Sequence, residues 1–223
     1  MKNLALIGYG KMGKMLDALA PEYNFEVCAR RDIDRPEPLT SADVAIEFST
    51  PHAVLANITE AAQLRLPLVV GTTGWLAHLD EVKSIVEANQ SALIWSPNFS
   101  IGVNVFTRLV AEAAKLLANE ATYGAWAWEI HHHTKKDAPS GTLLKLVEAM
   151  KTAGYTRPID ASSSRAGAHP GTHEIGFDSL ADTISLRHTA RSREGFARGA
   201  LKAAQWVLDK KGLFEFSEVL FGG

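Results

Sequence analysis

Apolar residues in the first hundred positions follow two alternating rhythms. Leu4, Ala5, Leu6 and Ile7 form a continuous apolar run, the pattern of a parallel-sheet strand covered on both faces. Met15, Leu16 and Leu19 then recur at helical spacing, and residues 25–29 form a second apolar segment. Together they make a unit of about 30 residues, the length of a βαβ crossover. The alternation continues with a strand over 43–48 and a helix opening at Thr50 and Pro51, with Thr50 as N-cap and Pro51 at the first helical position. A strand over 66–70, a helix marked by Leu79, Val82, Ile85 and Val86, and a fifth strand over 92–95 complete it. This order predicts a doubly wound parallel sheet.

Beyond residue 100 the pattern changes. Val103, Phe106, Val110, Ala113 and Leu117 trace one helix face, and residues 122–130 read as a strand with Trp126, Trp128 and Ile130 on one side, a stripe expected in the core. Residues 172–177 and 183–189 alternate with period two and predict two strands joined by a short polar loop. Between them, Asp137-Ala138-Pro139-Ser140-Gly141-Thr142 carries helix-start signals, an Asp able to cap and a Pro in the first turn. Leu143, Leu146, Val147 and Met150 follow at helical spacing, and Gly154 is a stop. The second half is therefore α+β in character, built on a mixed sheet.

Such parallel sheets bind ligands beyond the carboxyl ends of their strands, and three polar, glycine-containing loops fall there. The first, Gly8-Tyr9-Gly10-Lys11-Met12-Gly13, follows a strand and opens a helix, the context that gives a G-x-G-x-x-G run its meaning as a dinucleotide-binding turn. Gly8 permits the tight turn, Gly10 lets a pyrophosphate approach, and Gly13 allows close helix packing. The helix start supplies free N–H groups, and the sheet is of the Rossmann-like α/β class. In place of an acidic residue at the end of the second strand stand Arg30 and Arg31. Arginine suits the 2′-phosphate of NADPH, so either NADPH or NADH is expected, with NADPH preferred. The alternative is that both arginines are solvated and paired with Asp32 and Asp34.

Charge and composition narrow the field. A formal net charge of −2 offers no basic field for nucleic acid or an anionic membrane surface. No apolar run approaches a membrane-spanning or secretory length. Cys28 is the single cysteine, expected to be a buried strand residue, and a cytoplasmic protein is expected.

The chemistry concentrates in His131-His132-His133-Thr134-Lys135-Lys136 and the helix start that follows. Successive strand side chains point to opposite faces, so the three histidines cannot converge on one ion, and no metal is expected. Ser140, Gly141 and Thr142 would present backbone amides at the positive end of a helix, a site for a carboxylate. His169, His173 and His188 receive surface or hairpin roles.

The run Glu129-Ile130-His131-His132, two spacers, Lys135, one spacer, then Asp137 through Thr142 resembles the signature of the dihydrodipicolinate reductase family. Gly71-Thr72-Thr73, residues 98–104, Arg165-Ala166-Gly167 and Gly171-Thr172-His173 also stand where that family has similar residues. The resemblance implies NAD(P)H-dependent reduction of a small dicarboxylate in the diaminopimelate route to lysine. It gives His131 the role of general acid and Lys135 that of proton donor, with His132, Ser140, Gly141 and Thr142 on the substrate's carboxylates. Cofactor contacts fall on residues 8–13, on Gly71, Thr72 and Thr73, and on Ser96, Pro97, Asn98 and Phe99. It further implies a discontinuous dinucleotide-binding domain (1–100 and 193–223), a substrate-binding and oligomerisation domain (101–192), and a homotetramer. The glycine turn is one residue shorter than the family's, and Lys11 stands where arginine is common. A different Rossmann-type dehydrogenase and a non-catalytic dinucleotide sensor are the competing readings; neither accounts for His131, Lys135 and the helix start together.

Overall fold

The computed structural model describes residues 1–222. The chain divides into two compact units, Met1–Ile101 with Glu194–Gly223, and Gly102–Arg193.

The first unit is a six-stranded parallel sheet of β1 (Lys2–Ile7), β2 (Phe25–Arg31), β3 (Val44–Glu47), β4 (Leu68–Val70), β5 (Ala92–Trp95) and β10 (Gly212–Glu215), in the spatial order β10-β5-β4-β3-β1-β2. The order reverses at β1, which pairs with β2 on one side and β3 on the other, so the loops after β1 and β3 flank the crevice where such sheets take ligands. Helices α1 (Lys11–Leu19) and α6 (Glu194–Val207) enclose one face with Leu4, Leu6, Ile46 and Ile94; α2 (Val54–Gln63) and α3 (Leu79–Ala88) enclose the other with Ala5, Ile7, Leu68 and Leu93. Burial on both faces is why these strands read as unbroken apolar runs.

Two local expectations are corrected here. Helix α2 begins at Val54 rather than Pro51, because Thr50 and its neighbours form a turn in which the Thr50 carbonyl accepts from the amides of Ala53 and Val54. Cys28 is exposed, since β2 is an edge strand. The short β10 and the helix α7 after it (Phe216–Leu220) carry too little pattern to be anticipated.

The second unit holds α4 (Ile101–Leu116), whose first residue belongs to the other unit, α5 (Gly141–Thr152), and a mixed sheet ordered β7 (Ile159–Arg165), β6 (Gly124–His131), β8 (Thr172–Asp178), β9 (Thr183–Thr189). Strand β6 runs parallel to β7 and antiparallel to β8. Its alternation is as expected, but its sidedness is reversed. Ala125, Ala127 and Glu129 are buried, Ala125 and Ala127 against Phe106, Leu143 and Leu146 of the two helices, while Trp126, Trp128 and Ile130 lie half-buried on the opposite face. Helices pressed onto a sheet leave room for alanine, not tryptophan. The Trp126 ring instead lies over Gly176, where any Cβ would come within 2.1 Å of it, and the Trp128 indole donates to Ser164 Oγ at 3.0 Å.

Candidate active site

In the first unit the glycine turn has the geometry its spacing implies. Gly8 sits at φ +90°, and a Cβ there would lie 2.1 Å from the Phe48 carbonyl oxygen; a Cβ on Gly13 would lie 2.3 Å from the Gly8 oxygen. Both positions therefore demand glycine for packing. Gly10 differs: its added Cβ would meet nothing within 4 Å, which leaves the start of α1 open to a ligand, as a pyrophosphate requires. At the end of β4, Gly71 lies against the Phe48 ring, and the buried Thr72 Oγ1 has no hydrogen-bond partner among the described residues. An unfilled polar group after β4 and an open helix start after β1 fit a bound dinucleotide. Ser96 is buried and bridges Asn98, donating to its carbonyl at 2.8 Å and accepting from its amide at 3.1 Å. Phe99 is a core residue packed edge-on to Phe48 and tilted against Phe216, so only its backbone faces outward chemistry.

The arginines at the end of β2 are committed elsewhere. Arg30 donates to both oxygens of Asp17 (Nε at 2.7 Å, Nη2 at 2.9 Å), and Asp17 also accepts the Tyr9 hydroxyl. That hydrogen bond, with burial, raises the Tyr9 pKa. Arg31 pairs in the same two-pronged way with Glu60 (2.5 and 2.9 Å). The group that reaches the glycine turn is Asp32, whose Oδ2 accepts the Tyr9 amide at 3.1 Å.

In the second unit, β6 delivers Glu129 and His131 to one face of the sheet, since residues two apart share a side. Glu129 is fully buried. Its Oε2 accepts from His131 Nδ1, and its Oε1 accepts from Arg165 Nη2 at 2.8 Å and from the Ser140 amide at 3.2 Å. Burial pushes the Glu129 carboxyl up, but hydrogen bonds from Arg165 and His131 outweigh it and hold the pKa at about 2. His131 is lowered by burial, against the opposing pull of Glu129. His173 lies edge-on to His131 at 5.2 Å, and its Nε2 meets Ser140 Oγ at 3.1 Å. Burial, then the charge of His131, lowers its pKa to about 4.

The three adjacent histidines diverge. His132 Nδ1 meets Thr134 Oγ1 at 2.7 Å, and His133 Nδ1 donates to the Gly167 carbonyl at 2.8 Å. Lys135 Nζ donates to both oxygens of Asp137, at 2.8 and 2.9 Å. Those bonds, and more weakly the Gly141 amide, hold the Asp137 carboxyl below its ordinary range.

The cap of α5 is Ser140, not Asp137, and Pro139 precedes the helix; Ser140 Oγ accepts from the Leu143 amide at 3.2 Å. Ser140 is buried, with its hydroxyl used by the cap and His173 and its amide by Glu129. Its polar groups thus support the start of the helix. At Gly141 a Cβ would meet nothing within 4 Å and the amide is only weakly engaged by Asp137; with Thr142 it stands at the helix start. Glu129, Arg165 and His173 were not anticipated as site residues. Of the surface or hairpin role expected of His173 and His188, the hairpin holds, since the two lie opposite one another across β8 and β9, and the surface placement is corrected. His173 is buried, and the half-buried His188 packs on Phe106.

A parallel sheet with an open glycine turn, together with a histidine, a lysine and a helix start suited to an acid, defines a nicotinamide-dependent oxidoreductase class. Residues 32–99 match the dihydrodipicolinate reductase N-terminus and residues 102–220 the dihydrodipicolinate reductase C-terminus. The glycine turn lies upstream of the matched segments. The 4-hydroxy-tetrahydrodipicolinate reductase of Christiangramia forsetii is 37% identical over 98% of this chain and 97% of its own, and that of Lawsonia intracellularis 33% identical over 91% and 92%. A dipicolinate-bound dihydrodipicolinate reductase from Paenisporosarcina sp. TG-14 shares the fold, with a TM-score of 0.81 at 23% identity, covering 96% of this chain and 97% of that one. The chain belongs to the dihydrodipicolinate reductase family.

Proposed function

We propose that the protein reduces 4-hydroxy-tetrahydrodipicolinate to tetrahydrodipicolinate with NAD(P)H in lysine and diaminopimelate biosynthesis. The relationship to reductases of that name over nearly the full chain carries the reading. Mixing the protein with NADH or NADPH and enzymatically generated substrate, then following loss of reduced-nicotinamide absorbance, tests it. No loss with either cofactor overturns it.

The reduced nicotinamide, when bound, supplies the hydride. The first unit serves as the dinucleotide-binding domain, with contacts from residues 8–13, Gly71 to Thr73 and Ser96 to Phe99, and the second as the substrate domain. The 4-hydroxyl leaves as water; hydride addition to the unsaturated cyclic imine that results leaves one negative charge that one proton must relieve, and His131 is the general acid. Lys135 stabilises the developing charge with its ammonium group, and the one proton the step consumes comes from His131. His132, Gly141 and Thr142 hold the carboxylates. Asp137 already grips Lys135 through two oxygens, so an incoming carboxylate takes the ammonium from an internal one. A bound dipicolinate in a relative of the same fold supports a dicarboxylate ligand.

The cofactor preference expected from Arg30 is revised. Arg30 and Arg31 are each paired with a carboxylate, and Asp32 sits at the glycine turn. An acidic group there accepts the ribose hydroxyls of NADH and repels a 2′-phosphate. We infer that NADH is preferred. Asp32→Asn shifts the ratio of kcat/KM values toward NADPH by on the order of tenfold, the effect of removing one like charge near a surface; an unchanged ratio counts against Asp32. The half-buried Trp126, Trp128 and Ile130 on the outer sheet face support a homotetramer assembled through that sheet, and sedimentation at monomer mass would refute it. Among the described residues no helix is long and apolar enough to cross a membrane; membership of a biosynthetic family supports a cytoplasmic location.

A further inference from the structure

The buried carboxylate of Glu129 has more partners than an ion pair needs. An arginine and a carboxylate satisfy each other best through two parallel bonds, yet Arg165 gives Glu129 one nitrogen and spends its other bonds on the carbonyls of Ser164 (2.6 Å) and Asp137 (2.5 Å). The second Glu129 oxygen is kept for His131. This division follows from the sheet. On β7, Ser163 lies opposite Glu129 and Arg165 opposite His131; on β8, His173 lies opposite Glu129. Five polar side chains are thus delivered to one end of an otherwise apolar face. Glu129 then ties together the imidazole, the loop carrying Lys135 (through Arg165 and the Asp137 carbonyl) and the first amide before α5.

We propose that Glu129 is a positioning residue that holds the Nδ1 proton of His131, making Nε2 the atom that delivers the proton, and that Gly171 is glycine because only its hydrogen leaves Nε2 clear. An ionised carboxylate accepts and never donates, so Nδ1 bears hydrogen in both the neutral and charged rings. Gly171 sits at φ +135°, and a Cβ there would lie 2.9 Å from His131 Nε2 and 3.1 Å from Cδ2. This gives a use to the Gly171-Thr172-His173 run. Thr172 is buried with its hydroxyl on Thr189 at 2.9 Å, and His173 anchors the Ser140 cap. The proton balance is simple. The imidazolium gives its Nε2 proton to the substrate, the neutral ring keeps its Nδ1 proton on Glu129, and solvent restores the first; Glu129 stays ionised throughout. The charged and titratable groups facing His131 are Glu129 on its own strand, Arg165 on β7, His173 on β8 and Lys135 on the loop. Of these only Glu129 favours the imidazolium.

The inference rests on the reading of His131 as the acid, and the experiment separates the two. In Glu129→Gln, kcat falls ~10²-fold, within the range of general acid–base contributions, while the Kd for NADH stays within about twofold. The alkaline limb of kcat/KM moves to lower pH, because the imidazolium loses its one stabilising charge. Nitrogen-15 spectra of histidine-labelled protein show His131 leaving the Nδ1–H tautomer. A purely structural role would leave both the limb and the tautomer in place, and that result overturns the proposal. Removing one partner of a buried pair is strongly destabilising, so Gly171→Ala provides a second route that leaves the ion pair untouched. It lowers kcat at least tenfold, with His131 still in the Nδ1–H form and NADH binding retained; wild-type turnover there overturns the Nε2 assignment. Wild-type turnover in His131→Gln removes the underlying reading itself.

Discussion

Replacing His131 by glutamine, or Lys135 by alanine, lowers kcat by ~10²–10⁴-fold and leaves the affinity for reduced nicotinamide intact. The size follows from what general acid catalysis contributes when a positioned group supplies a proton in the transition state. The sparing of cofactor affinity follows from location, since both residues belong to the second unit and the glycine turn to the first. The two variants are distinguishable. His131→Gln removes the titrating group but leaves the Lys135–Asp137 pair, so KM for the substrate changes little. Lys135→Ala removes the only cation that the Asp137 side chain pairs with among the described residues, so it raises KM as well as lowering kcat. Stopped-flow single turnovers with a deuterated nicotinamide would show whether the slowed step is the chemical one. Wild-type turnover in either variant defeats the assigned role of that residue.

Much of the first unit can be read from the chain because a sheet buried on both faces imprints itself as unbroken apolar runs, and Leu4 to Ile7 is the clearest. The second unit is harder, for reasons that particular residues make plain. β7 runs Ile-Asp-Ala-Ser-Ser-Ser-Arg, mostly polar, because it is an edge strand whose serines face Glu129 and Trp128 rather than a core. The tryptophan stripe has the right period but no marker of which face the helices cover; the alanines between the tryptophans were that marker. The catalytic candidates were legible as a contiguous motif, whereas Glu129's partners were not. Arg165 and His173 come within reach only through strand pairing, 36 and 44 residues along the chain from Glu129. Arg30 shows the converse. Its place at the end of β2 suggested a phosphate ligand, and only the fold shows Asp17, on α1, taking two of its three nitrogens while the third turns to the Val27 carbonyl.

The same buried network makes the second unit sensitive to acid in two stages. His173 is neutral in the fold, with a pKa of about 4 against an ordinary 6.5. Between those values the unfolded chain binds a proton that the folded one refuses, so stability falls as pH drops through that window; the gap of roughly 2.5 pH units corresponds to about 3 kcal/mol. Glu129 acts lower down. Its pKa of about 2, against 4.5 unfolded, gives stability that is present above 4.5 and lost as pH falls toward 2, again about 3 kcal/mol. His131 and His188, both lowered by burial, add to the first stage with the same sign. Amide hydrogen exchange of β6 and β8 isolates this unit from the other. His173→Gln, which cannot titrate, should shrink the loss of protection between about pH 7 and about pH 4.5 by about 2 kcal/mol. The residual slope then belongs to the other two histidines, and the Glu129 stage below pH 4.5 is unaltered. If wild type and His173→Gln lose protection in parallel across that range, the buried neutral imidazole is not the group that acid unfolds against.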